Sequence, residues 1–236
     1  MPSPSRSTRV LAQGAAKARP LLCLSAAPAG ADSPHVLCST PFPSLTQPHE
    51  FSLSLCVLHS TWDTAVARFA ARGYGGLVVS LPPDLGAADA AADYLETVRD
   101  THGMVPPVLV ASGVAAFVAQ KFLESYSLAR LAVVDPVPPH TFGPALARLK
   151  AHGPSPAEAC LIDAMLQDAD AAVVRLESGA VPMLVVTTPG PVRATADDVA
   201  VICAFHGIPP ANIVAAPSGD EDVVADIILQ WVDEDA

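Results

Sequence analysis

The chain has 236 residues, 51% of them hydrophobic and only 16% charged, which is material for one α/β domain with a sizeable core. Net charge is −11, but residues 1–31 hold four of the 13 basic residues and none of the 24 acids, so the remainder sets nine basic groups against 24 acidic ones, or −15. An acidic body of that kind does not suit nucleic acid or an anionic membrane surface, and no apolar run approaches the roughly 18 residues of a membrane-spanning helix.

Residues 1–31 are rich in Ser, Arg and Ala, with Arg6, Arg9, Lys17 and Arg19 spaced along them. Basic and acid-free, this is the composition of a mitochondrial transit peptide. The plainer reading is a disordered tail, favoured by Pro2 and Pro4. The division expected is therefore a leader over 1–31 and a single domain over 32–236. The location expected is the mitochondrial matrix, with the cytoplasm as the alternative. Within 21–50, residues 21–24 and 35–38 are short strand candidates among many prolines.

From residue 51 the pattern becomes orderly. Residues 51–58 read as a strand. Residues 62–72 have helical spacing, with Trp62, Val66 and Phe69 on one face and Gly73 as the stop. A β-branched strand over 76–81 ends at Pro82 and Pro83, and an Ala-rich helix spans 87–101. Residues 108–110 form a strand, 115–125 a helix and 131–134 the next strand, followed by Asp135 and Pro136. Residues 136–180 then break the rhythm with prolines and two helical stretches, 142–151 and 156–176. Strand, helix, strand and helix resume at 182–187, 196–206, 212–215 and 221–231. Short apolar strands alternating with helices predict a mostly parallel sheet covered on both faces, with 136–180 as a short helical lid above it.

Five cysteines stand far apart with apolar neighbours, as around Cys56 and Cys203. They read as small core residues in a reducing compartment. The turn at 111–116 lacks both G-x-G-x-x-G and a Walker lysine, and His140, His152 and His206 share no ligand spacing. No cofactor and no metal are expected.

Several stretches together resemble the α/β-hydrolase superfamily over about residues 51–232. Phe69-Ala70-Ala71-Arg72-Gly73-Tyr74 is similar to the end of that family's first core helix, and Leu81-Pro82-Pro83-Asp84-Leu85-Gly86 to its Asp-Leu-Pro-Gly-x-Gly turn. Val108-Leu109-Val110 with Phe117-Val118-Ala119 resembles the strand and helix around the nucleophile elbow. Leu131-Ala132-Val133-Val134-Asp135-Pro136 resembles the strand that leads into the lid, and Val181-Pro182-Met183-Leu184-Val185-Val186 the strand that carries the acid.

The resemblance implies where the chemistry of the family would sit. Ala111 and Ala115 match the small residues of the elbow, which puts Gly113 at the nucleophile. The acid position falls at Pro191 and the histidine position at Asp220, with no histidine after His206. The oxyanion loop reads His59-Ser60 where the family has His-Gly. A glycine keeps a tight turn with positive φ and removes the reacting group. Asp197 and Asp198 read as charges at a helix start. The expectation is a catalytically inactive hydrolase-like protein that acts by binding or within an assembly, its protein partner unidentified. The alternative is an active esterase that uses Ser112 as fallback nucleophile with a relocated base, His59 or His206; the plainer role for Ser112 is a helix cap. A weaker alternative is a small-molecule receptor using the lid pocket. Residues expected around such a pocket or oxyanion loop are His59, Ser60, Ser112, Val114 and Asp135.

Overall fold

A computed structural model describes residues 8–10, 19–25, 53–58, 63–72, 74–80, 87–101, 107–154, 156–168, 173–175, 181–191 and 193–234. Among the described residues eight strands form one sheet: β1 (Thr8–Val10), β2 (Arg19–Ser25), β3 (Leu53–Leu58), β4 (Tyr74–Ser80), β5 (Pro107–Ser112), β6 (Arg130–Val134), β7 (Met183–Thr187) and β8 (Ile213–Ala215). Their order is β1-β4-β2-β3-β5-β6-β7-β8. The β1–β4 pairing is antiparallel; β5, β6, β7 and β8 pair in parallel in strict sequence. Both β1 and β2 fall in the stretch expected to be a leader, and β2 pairs with β3 and β4.

Seven helices flank the sheet among the described residues: α1 (Asp63–Ala71), α2 (Ala88–Thr101), α3 (Gly113–Phe122), α4 (Phe142–Ala151), α5 (Pro156–Gln167), α6 (Ala196–His206) and α7 (Glu221–Glu234). The period-2 geometry of a strand divides the apolar residues of the sheet between two cores. Leu109, Ala111, Leu131, Val133, Met183 and Val185 pack with α2, α3, α4, α5 and α6. Val108, Val110, Ala132, Val134, Leu184 and Val186 pack on the other face with α1 and α7. A fully buried Leu or Phe in either core contributes about 1.5–3 kcal/mol over its exposed state.

Every residue of α3 from Val114 to Phe122 is buried, because the sheet lies beneath it and α2, α4 and α5 surround it. That is why its sequence has no polar face: Ala115, Ala116 and Ala119 allow close approach, while Phe117 and Phe122 fill the space between layers. Phe117 meets Phe142 of α4 edge to face, with centroids 5.5 Å apart.

Some boundaries differ from expectation. The helix expected over 156–176 ends at Gln167, and residues 173–175 are not helical. The helix expected from 115 begins two residues earlier, at Gly113, directly after the strand. Cys160 is exposed and Cys203 half-buried, so Cys160 is not the core residue its neighbours suggest. Among the described residues no helix is long and apolar enough to cross a membrane.

Candidate functional site

The carboxyl ends of β5 to β8 bring the site together. Ser112 ends β5 in extended backbone (φ −127°, ψ 152°), and Gly113 turns the chain into α3 with φ +56°. A residue with a side chain is strained in that left-handed region and glycine is not. Ala111, Ala115 and Ala116 are buried around the turn, so the strand and helix can pack this closely only with small side chains there. A Cβ placed on Gly113 meets Leu149 Cδ2 of α4 at 4.0 Å, an ordinary contact. The elbow therefore keeps both the backbone and the room for a side chain.

Asp135 stands next to this turn. Ser112 pairs with Val134 in the ladder, about 5 Å apart across the sheet, and Gly113 and Asp135 are the residues that follow them. Asp135 also has positive φ, 44°, a conformation Asp tolerates better than most residues. Its amide donates to Val186 O at 2.9 Å. Its Oδ1 accepts from the Thr188 amide at 3.0 Å and the Ala194 amide at 3.2 Å, and its Oδ2 accepts from the Thr188 hydroxyl. The carboxylate thus folds the loop after β7 around itself. The fixed loop, in turn, holds Asp135 in its uncommon conformation.

The acid and histidine positions that the resemblance implied lie on the next two loops. Pro191 is exposed. Asp220 is exposed as well; its Oδ2 accepts from Ser218 Oγ at 2.9 Å, and its carbonyl accepts from the amides of Val223 and Val224 as α7 begins. A Cβ on Gly219 would lie 3.8 Å from Pro189 O, so these two loops are neighbours.

Ser112 is half-buried and its hydroxyl makes no capping bond to α3, contrary to the structural role the sequence suggested. Val114 is buried in the core. His59 and Ser60 lie outside the described residues. Asp198 is the third residue of α6 and forms a capping box with Thr195, which accounts for the acids at that helix start.

One cluster the sequence did not reveal lies farther along α3. His206 Nε2 and Gln120 Oε1 are 2.9 Å apart, and both side chains are buried. Gln120 Nε2 donates to Ala116 O and Val137 O. His140 and His206 each stack edge to face on Phe205. Burial, helped by the nearby His140, lowers the His206 pKa from 6.5 to about 4, so the ring is neutral at physiological pH. Gln120 is seven residues past Gly113, about 10 Å along the helix at 1.5 Å per residue. His206 is thus engaged with Gln120, which lies farther along the helix than the elbow. The sequence signal was Gln120, beside Lys121 in a helix whose other side chains are apolar, a type that needs partners when buried.

An open cleft of about 480 Å³ borders the far end of α3, with Asp93, Lys121, Glu124, Tyr126 and Arg175 among its lining. The Lys121 ammonium is already taken up by Glu124, Asp89 and Val173 O. The Tyr126 hydroxyl donates to Asp93.

No protein-family profile matches the sequence, and no curated protein does. Solved structures do. The chain is similar to an α/β-hydrolase enzyme from the metagenome of sediments from the lagoon of Mar Chica, Morocco, at TM-score 0.57 and 12% identity, over 96% of this chain and 98% of that one. It is similar to a marine microorganism esterase at TM-score 0.54 and 13% identity, over 97% and 98%. It also resembles the N-acyl homoserine lactonase AidH at TM-score 0.54 and 11% identity, over 73% of this chain and 84% of that one. At these identities the likeness speaks to architecture, and with the parallel order of β5 to β8, the elbow at Gly113 and the flanking helices it establishes that the chain has the α/β-hydrolase fold.

Proposed function

We propose that this protein uses the α/β-hydrolase fold without hydrolysis, acting by binding or as a component of an assembly. The observation that carries the proposal is Gly113: the elbow backbone is kept at φ +56° with space above it, and the residue there has no side chain. The rest of the constellation agrees. The Asp135 carboxylate beside the elbow holds the loop after β7, His206 is bound to Gln120, and Asp220 starts a helix. A hydroxyl without a base is an ordinary alcohol at neutral pH.

The test is turnover of short-chain and long-chain p-nitrophenyl esters, together with labelling by a fluorophosphonate probe. Rates equal to those of a heat-treated sample and no labelled serine are expected. Rapid turnover with a labelled serine would overturn the proposal.

A second reading is favoured by one observation. Ser112 sits at the strand end with a half-buried hydroxyl that makes no cap bond. If it were the nucleophile, fluorophosphonate would label it and Ser112→Ala would abolish both labelling and turnover.

The basic, acid-free composition of residues 1–31 supports a mitochondrial location as a further part of the proposal. Uptake of the full chain by isolated mitochondria, lost when Arg6, Arg9, Lys17 and Arg19 are replaced by Gln, is the outcome expected. Equal uptake by both forms would count against it.

A further inference from the structure

The middle of the sheet offers one place to two strands. β4 has its outer edge taken by β1, with Arg9 opposite Val78, and β5 has its far edge taken by β6. The edges that remain on β4 and β5 are each claimed by both β2 and β3. On β4, Leu21 and Ser54 both pair with Gly76, and Cys23 and Cys56 both pair with Val78. On β5, Cys23 pairs with Val110, while Leu53 and Val57 pair with Pro107 and Ala111. Each residue has a single backbone N–H and a single C=O, so one edge of β4 can bond in full to only one strand at a time. Neighbouring strands are about 4.8 Å apart. With β2 and β3 side by side in the gap, β4 and β3 would stand about 10 Å apart, beyond pairing distance.

The two segments are built alike. Leu21-Leu22-Cys23-Leu24-Ser25 and Ser54-Leu55-Cys56-Val57-Leu58 run parallel at the same level, with Leu22 opposite Leu55 and Ser25 opposite Leu58. Both stretches are short, mostly apolar and uncharged, which is what a strand between two others in a buried sheet requires. They differ at the amino end. Pro20 is paired with Gly75 and brings no N–H to that ladder, whereas β3 contains no proline. β3 is therefore the better occupant and β2 its competitor.

We infer that residues 19–25 and 53–58 are alternative occupants of the single strand position between β4 and β5, and that the chain exchanges one for the other. The exchange reaches the elbow through the sheet. Val57 pairs with Ala111, so Leu58 is level with Ser112, and Ser25 is level with Leu58. The residues that follow the strand at this edge are His59 and Ser60 in one arrangement and Ala26 and Ala27 in the other. Exchange thus decides whether an imidazole and a hydroxyl or two methyl groups come next in the chain beside the elbow. The inference concerns the full chain and holds whether or not the protein hydrolyses anything.

The native cysteines report the exchange, because Cys23 and Cys56 share one partner. In the full chain carrying Val78→Cys, oxidation with copper phenanthroline and peptide mass spectrometry count the disulfides from position 78 to Cys23 and to Cys56. Both should form, the Cys56 species in excess. Leu22→Asp should lower the Cys23 share by roughly tenfold or more, and Leu55→Asp should make it the major species. One disulfide alone, neither, or shares unmoved by both substitutions would overturn the inference. Hydrogen exchange on the unsubstituted chain needs no variant to fold. Amides of 19–25 and of 53–58 should both exchange roughly tenfold or more faster than those of 131–134, since each segment leaves the position part of the time. A segment as protected as 131–134 would be a permanent strand and would equally overturn it.

Discussion

The two ends of α3 treat polar chemistry in opposite ways. At its start, Gly113, Val114, Ala115 and Ala116 carry no polar side chain, although the backbone is that of a presentation site and a Cβ at 113 would find room. At its end, Gln120 and Lys121 are buried polar side chains, and they donate to backbone carbonyls of the 136–180 insertion, Val137 O and Val173 O. The difference teaches that the polar side chains of this helix hold other segments of the chain. Asp135 follows the same rule: its carboxylate stands beside the elbow, yet its hydrogen bonds go to the Thr188–Ala194 loop.

The contrast can be broken most forcefully at Lys121. Lys121→Met removes one partner of a nearly buried pair with Glu124, so a loss of about 3–5 kcal/mol is expected in urea unfolding. A loss below about 1 kcal/mol would mean that the Lys121 bonds are not structural.

His206 offers the next largest effect, through pH. Its folded pKa, about 4, lies below the unfolded value of 6.5. The unfolded chain therefore binds more protons between those values, and the neutral ring's contribution is fully present above pH 6.5 and lost as pH falls toward 4. The group facing it from α3 is the neutral Gln120, and the nearby His140 further disfavours its protonation. The loss attributable to His206 over that range is on the order of 3 kcal/mol. His206→Gln should flatten this part of the stability–pH curve; an unchanged slope would show that the ring is not the titrating group.

At the other end of the helix the effects are smaller. Gly113→Ala places its Cβ in ordinary contact with Leu149 but in the left-handed region, and should cost about 1–3 kcal/mol from backbone strain alone. Gly113→Ser should cost the same and gain no esterase activity, because no imidazole is placed beside it among the described residues. Ser112→Ala, removing a hydroxyl with no cap bond, should change stability by less than about 0.5 kcal/mol. A larger change would reveal a partner for Ser112 and sharpen the second reading of the function.

The elbow was legible in the sequence because its demands are local. A turn tight enough to need Ala111 and Ala115, followed by a glycine, specifies its own backbone, and φ at Gly113 is positive as that pattern requires. The alternation of apolar strands with helices was legible for a similar reason: a parallel sheet buried on both faces needs uninterrupted apolar runs such as Leu131–Val134. The helix expected over 156–176 ended early because helical periodicity says nothing of the tertiary bonds that take over at Val173, Val174 and Arg175, where Lys121, Pro139 and Glu124 bind the backbone.

What the sequence determined by itself was thus the order of the elements and the form of the central turn, both set by short-range sterics and by the periodicity of apolar residues. Only the tertiary structure decided what the polar residues do. Ser112 is left without a cap bond, Asp135 becomes a clasp, and Gln120, Lys121 and His206 become fastenings for an insertion that begins 16 residues after Gln120. Burial forces each such group to find a partner, and which partner lies within reach depends on chain segments brought together by folding, not on neighbours in sequence.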